Sequence, residues 1–214
     1  MDNAAEMTQV EDTQGSDPLS DGRSQRRYDN GQRLYDAADA LFRSTDYDDV
    51  SVDDICAAAG VGRATFFRIY GTKAGLLREL NRRLAADAAA RLDPLDDATL
   101  EVALDAIRSA VVAAWGDAGP GHYRMAADYL RHLPLDDPHG AHPELLEMVT
   151  ERVERAIASG ETGNDLPADV TARSALVTML MPFAEAFSGG TVDLDAVSRV
   201  LLRRWCAGAR SDLG

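Results

Sequence analysis

Arg63, Ala64 and Thr65 open a short helical stretch that follows a glycine at position 60. An arginine and a hydroxyl on the exposed first turn of a helix can meet base edges in the DNA major groove, where a guanidinium makes paired hydrogen bonds to guanine. Arg23, Arg26 and Arg27 form a second cationic group, suited to phosphate oxygens. A third grouping is rich in histidine. His122, His132, His139 and His142 fall within 21 residues, and His139-x-x-His142 with Asp136 and Asp137 has the residue types of a metal site. Pro138, Gly140 and Pro143 make that stretch a loop, however, and not a helix presenting ligands on one face. The chain also has no HExxH, glycine-rich phosphate loop or GxSxG. No metal, cofactor, catalytic residue or enzymatic activity is therefore expected. Cys56 and Cys206, the two cysteines, form no CxxC and read as small apolar packing residues.

A net charge of −14 speaks against nucleic-acid binding until its distribution is considered. Residues 1–22 carry six acids and no base; residues 84–214 carry 21 acids against 11 bases. Residues 23–83 carry 11 bases against 9 acids and are the only segment of the three that is not acidic. An acidic body repels DNA everywhere except at the intended face, which limits non-specific binding. The acidic N-terminus has no basic stretch followed by an apolar block, and no run of about 20 uncharged apolar residues occurs. A cytoplasmic protein without a membrane span is expected.

These groups need elements to hold them, and the periodicity is helical throughout. Residues 1–25, acidic and aperiodic, read as a disordered tail. Leu34, Ala38, Leu41 and Phe42 then mark one face of a first helix. Ser51, with Asp54 three residues later, predicts an N-cap for a short helix whose Val52, Ile55, Cys56 and Ala59 share a face. Ala57, Ala58 and Ala59 are small enough for close helix approach, Gly60 makes the turn, and Val61 fits between the helices. A second short helix follows over about 63–69, with Phe66 and Tyr70 facing inward. Thr72 predicts the cap of a fourth helix carrying Leu76, Leu77, Leu80 and Leu84. Beyond residue 91, five helical segments are punctuated by Gly and Pro, and Pro182 predicts a kink or interruption in the segment 167–187. The fold class is all-α: a helix-turn-helix DNA-binding domain over 26–75 and a helical body over 76–214.

Residues 30–80 resemble the DNA-binding domain of the TetR (tetracycline repressor) family. Its pattern Ile-Ala-x-x-Ala-Gly-Val-Ser appears as Ile55-Cys56-Ala57-Ala58-Ala59-Gly60-Val61-Gly62, and its Tyr-Phe-x-x-Lys-x-x-Leu as Ile69-Tyr70-Gly71-Thr72-Lys73-Ala74-Gly75-Leu76. Lys73, the single lysine in the chain, falls on the family's lysine. The resemblance implies that Gly62, Arg63, Ala64 and Thr65 lie along the groove, and that Ser51, Arg68 and Lys73 contact phosphate. Phe67 stands where the family usually has a phosphate-binding tyrosine, and Ile69 where it often has His or Tyr, so two polar contacts are missing. By the same resemblance the protein is a homodimer on a palindromic operator, paired through the last two helices. It would be a repressor released by a small-molecule inducer. Ala175, Leu176, Met179, Leu180 and Phe183, with Leu194, Val197, Leu201 and Trp205, are the candidate pairing residues. Trp115, Tyr123, Met125, Tyr129, His132 and Met148 are candidates to wall an effector pocket. The rival reading is a helical interaction or adaptor protein of the same fold that has lost DNA binding.

Overall fold

The structure, a computed structural model, describes residues 18–132 and 142–210. Among them there are helices and turns and no strand. Helix α1 runs Pro18–Ser44, α2 Val52–Ala59, α3 Arg63–Tyr70, α4 Leu77–Leu92, α5 Leu100–Gly116, α6 Pro120–Leu130, α7 Pro143–Ser159, α8 Ala168–Phe187 and α9 Leu194–Ala209. The first three pack against one another, while α4, α5, α7, α8 and α9 form the body. Helix α6 lies between the two groups and touches α1, α4 and α8. No described helix is long and apolar enough to cross a membrane.

Helix α1 begins earlier than composition suggested. Its first turns extend into the stretch expected to be tail, beginning at Pro18, and Gln25 bonds the Asp29 carboxylate one turn on at 2.8 Å. Proline suits a helix start because its missing N–H is not needed there. Thr72 does not cap α4, which begins at Leu77 without a side-chain cap; its Oγ1 accepts from the Gly75 N–H at 3.0 Å, several residues earlier. A 3-10 turn over Ala74–Leu76 precedes α4.

Helix α8 continues through Pro182, so of the kink or interruption expected there the interruption does not occur. Four of its expected pairing residues, Ala175, Leu176, Met179 and Phe183, are buried in the protomer's own core. The sides of α8 and α9 left open carry Val170, Val177, Met181 and Val200, together with Val197, one of the expected pairing residues. Helical periodicity locates an apolar stripe; it does not say which of two neighbouring stripes meets the protomer's own core.

The body is closed by charged groups placed on backbone carbonyls and carboxylates. Arg152 caps the end of α4 and the turn after it, donating to Leu95 O at 2.7 Å and Leu92 O at 3.3 Å. A cation at a helix C-terminus meets the unsatisfied carbonyls and the negative end of the dipole. Arg108, 1% exposed, pairs with Asp105 one turn back on α5 at 2.6 Å and joins α5 to α9 through Asp195 at 2.7 Å.

Candidate nucleic-acid interface and effector cavity

Helix α2 starts at a reciprocal cap. Ser51 Oγ accepts from the Asp54 N–H at 3.1 Å, and the Asp54 carboxylate accepts from the Ser51 N–H at 2.9 Å and hydroxyl at 2.6 Å. Those last two bonds hold the Asp54 pKa below its usual value, the hydroxyl contributing most. Helix α2 ends at Gly60, whose φ of 62° is the left-handed conformation that a Cβ disfavours. The Gly60 and Val61 N–H groups bond back to Ala57 O and Cys56 O, the paired bonds of a left-handed helix end. Of the three alanines before the turn, Ala59 alone is buried. Helix α1 braces the turn: Arg33 donates to Ala59 O at 2.5 Å, and Tyr70 of α3 donates to Gly31 O at 2.8 Å.

This frame leaves one side of α3 open. Phe66 and Tyr70 are buried, their ring centroids 5.5 Å apart, while Gly62, Arg63, Ala64, Phe67 and Arg68 are exposed and Thr65 is half-buried. Phe67 packs edge-on against Phe66, and the Arg63 guanidinium lies 5.2 Å from its ring centroid. The ring that replaces the family's tyrosine is therefore a shelf for Arg63. Arg63 also pairs with Asp53 at 2.5 Å, both side chains well exposed. Ile69 packs partly buried against the core, near Gly31 of α1, so its apolar character fits its surroundings.

Lys73 is placed differently from its sequence expectation. Its ammonium donates to Tyr47 O at 2.5 Å and Val50 O at 2.8 Å and sits 3.9 Å from the Tyr47 ring centroid. Burial pushes its pKa down, partly opposed by Asp48 and Asp128. In this position the lysine ties the 3-10 turn before α2 to the end of the helix-turn-helix, as a positioning residue. Lys73→Met should lower the free energy of unfolding by about 1–2 kcal/mol, because two carbonyls lose a charged donor. Urea denaturation followed by circular dichroism reads this directly, and unchanged stability would remove the role.

Arg23, Arg26 and Arg27 of α1 line one cleft together with Asn30 and Arg68 of α3. None of these four arginines is ion-paired among the described residues. Helical geometry, absent from a tail, is what gathers them beside the reading helix.

Among the described residues the histidines lie apart. His122 is buried on α6, its Nε2 2.9 Å from Asp39 of α1 and its Nδ1 accepting from the Gly119 N–H at 3.2 Å. Burial pushes its pKa down, against the pull of Asp39, so the neutral ring donates from Nε2. His132 is exposed, and His139, Asp136 and Asp137 lie outside the described residues. Among the described residues no group of three His, Cys, Asp or Glu side chains could hold a metal ion. Tyr47 to Asp128 at 3.0 Å and Arg124 to Asp48 at 3.2 Å add further bonds between α6 and the DNA-binding domain.

A cavity of about 340 Å³ lies among α4, α6 and α8. Of the six expected wall residues, Trp115 lines it. Tyr123 stands behind, its ring 5.4 Å from Trp115 and its hydroxyl donating to Trp115 O. Met125 is buried in the core, Tyr129 and Met148 pack half-buried against it, and His132 faces solvent. Helix α8 supplies most of the wall, including Leu176, Leu180, Phe183 and Phe187. Its aliphatic run resembles ordinary core in sequence, and no local signal marks it as a wall.

Residues 34–80 match the family described as bacterial regulatory proteins, tetR family. A 48-residue stretch is 46% identical to a Mycobacterium tuberculosis protein named as a mycofactocin biosynthesis transcriptional regulator, MftR; it is 22% of this chain and 24% of that protein. The match thus spans about a quarter of that relative's length. Among solved structures, FadR from Bacillus subtilis in complex with stearoyl-CoA is similar with a TM-score of 0.61 and 18% identity, over 83% of this chain and 98% of that one. PfmR from Thermus thermophilus is similar with a TM-score of 0.53 and 17% identity, over 82% and 97%. At these identities the structural likeness establishes the fold.

Proposed function

We propose, from the match of residues 34–80 to the tetR family of bacterial regulatory proteins, that the chain is a ligand-responsive repressor that binds a palindromic operator as a dimer in the cytoplasm. The observation that carries DNA reading is the exposed side of α3. A buried Phe66–Tyr70 pair fixes the helix while Arg63, Ala64 and Arg68 stand outward and Thr65 is half-buried beside them. Arg63 reads a base edge from its Phe67 shelf, exchanging its surface pairing with Asp53 for a bidentate contact to guanine. Ser51 and Arg68 contact phosphate. The arginine cleft on α1 supplies phosphate contacts in place of those that Phe67 and Ile69 cannot make.

One reading helix covers too few base pairs for useful specificity, so a second copy is needed. The exposed apolar residues of these two neighbouring helices, Val170, Val177 and Met181 on α8 with Val197 and Val200 on α9, support pairing there. The Bacillus FadR structure contains stearoyl-CoA; in this chain the cavity beside α6 supports an effector site. Because α6 touches both the cavity and α1, filling the cavity would bias the position of the DNA-binding domain. An effector must bind one arrangement better than the other to do so.

The test is a gel shift with DNA from upstream of the protein's own gene. Binding should fall steeply with salt, and light scattering should show two protomers per operator. Arg63→Ala should cost about 1–3 kcal/mol on the preferred sequence and relax base preference at one position of each half-site. Salt-insensitive or absent binding would favour the adaptor reading. A preference unchanged in Arg63→Ala would remove the groove assignment.

A further inference from the structure

The cavity walls select a chemical class of ligand. Leu176, Leu180, Phe183 and Phe187 of α8 face Trp115, whose ring centroid is 4.6 Å from that of Phe187. No Arg, Lys, Asp or Glu lines the cavity among the described residues. Two polar side chains do, Asn81 of α4 and His142 at the start of α7. His142 Nδ1 is closed off from solvent and has no hydrogen-bond partner among the described residues. Burial pushes the pKa of this histidine down to about 4, which leaves a neutral ring near neutral pH.

We propose that the cavity takes an uncharged, largely apolar small molecule that gives one hydrogen bond to His142. The proposal rests on the ligand-responsive reading above and specifies its effector. Charge is the first discriminator. A carboxylate or phosphate inside these walls would lose water and gain no cation, and an unpaired ion in an apolar site is strongly disfavoured. Shape is the second: a small pocket of about 300–1,000 Å³ with aromatic walls and few convergent polar groups suits a compact ligand held by ring and aliphatic contacts. An amphiphile with its head group left in water would leave His142 unmet. Leu130, Val177 and Met181 are each part of the wall and well exposed in the single protomer, and because Val177 and Met181 lie on the side proposed for pairing, a second copy would narrow the opening there and leave Leu130 at its free edge.

Trp115 makes binding measurable in the full chain, because its indole lies in the wall. Titrations of 1-decanol, 2-naphthol, decanoate and decanoyl-CoA should be followed by tryptophan emission and by calorimetry. A neutral probe should bind saturably and at least tenfold tighter than decanoate or decanoyl-CoA. His142→Phe should weaken that probe at least fivefold with circular dichroism unchanged, and Leu180→Trp, which fills the cavity, should abolish binding. Charged probes binding as tightly as neutral ones would overturn the proposal, as would no saturable binding of either neutral probe to folded protein. Full neutral-probe affinity in Leu180→Trp would overturn it too. The same titrations on the operator complex separate the two readings. Neutral binding without any change in DNA affinity supports this ligand class and removes the ligand-responsive function. DNA release by decanoyl-CoA alone retains that function and overturns this class.

Discussion

Arg108→Ala is expected to lower the free energy of unfolding by about 3 kcal/mol, a fall of roughly 6–12 °C in melting temperature for a chain of this size. The guanidinium is buried between α5 and α9, with Nε on Asp105 at 2.6 Å, Nη1 on Asp195 at 2.7 Å and on Ser198 at 3.2 Å, and Nη2 on Ser109 at 3.2 Å. Truncation opens a cavity beside Ser198, itself fully buried. It leaves no buried charge behind, since Asp105 and Asp195 are each close to half exposed and recover water. That is why the cost falls at the low end of about 3–5 kcal/mol for breaking a buried pair. Arg108→Met, which keeps most of the volume, should lose about half as much. Urea titration with circular dichroism measures both, and equal losses would show that packing contributes nothing to the lock.

The same lock has a pH signature. Hydrogen bonds from Arg108 and Arg199 hold the Asp195 pKa below the ordinary carboxylate value. A depressed folded pKa means that the unfolded chain binds the proton more readily. The stabilisation is therefore fully present above the unfolded value of about 3.9 and is lost as pH falls through the folded value. The stability gap between wild type and Arg108→Ala should be flat from about pH 5 to 8 and narrow below about pH 4. A gap that widened toward acid would contradict the assignment of Asp195.

What could be read from sequence divides by the range of the interaction that decides it. Ser51 and Asp54 are three residues apart, Phe66 and Tyr70 four, and Gly60 needs only its own φ; helix geometry brings each set together without knowledge of the tertiary fold. The reading helix and its turn were legible for that reason. Lys73 shows where this stops. The family pattern identifies its position, but the carbonyls it meets belong to residues 23 and 26 positions upstream. Arg108 meets Asp195 across 87 residues, and its sequence neighbourhood is an ordinary amphipathic helix. The cavity wall was illegible in the same way, because Leu176, Leu180 and Phe187 differ from core leucines and phenylalanines only in what stands opposite them.

Gly121→Ala is the variant that tests the route between cavity and DNA. A Cβ at this position would lie 2.9 Å from both the Phe42 Cβ and the Phe42 O, and one at Gly119 would lie 2.8 Å from the Arg43 Cα. Ordinary contacts need more room, so α6 and α1 would have to part by several tenths of an ångström. A methyl group forced into packed structure costs about 1–3 kcal/mol, and that loss is expected here. Helix α6 also carries Ala126 and Leu130 of the cavity wall, and it reaches α1 through His122 and Asp39. A displacement imposed at Gly121 therefore acts on the contact through which an effector would act. Operator affinity should fall at least tenfold with no effector present, and the remaining complex should respond less to one. Cooling the variant until its circular dichroism matches wild type separates this from simple unfolding. If the folded variant binds operator with wild-type affinity and releases it normally, the α1–α6 contact is packing alone, and the signal must cross elsewhere, with α4 the next candidate. That helix touches α6, supplies Leu77 and Asn81 to the same cavity, and follows α3 after a single 3-10 turn.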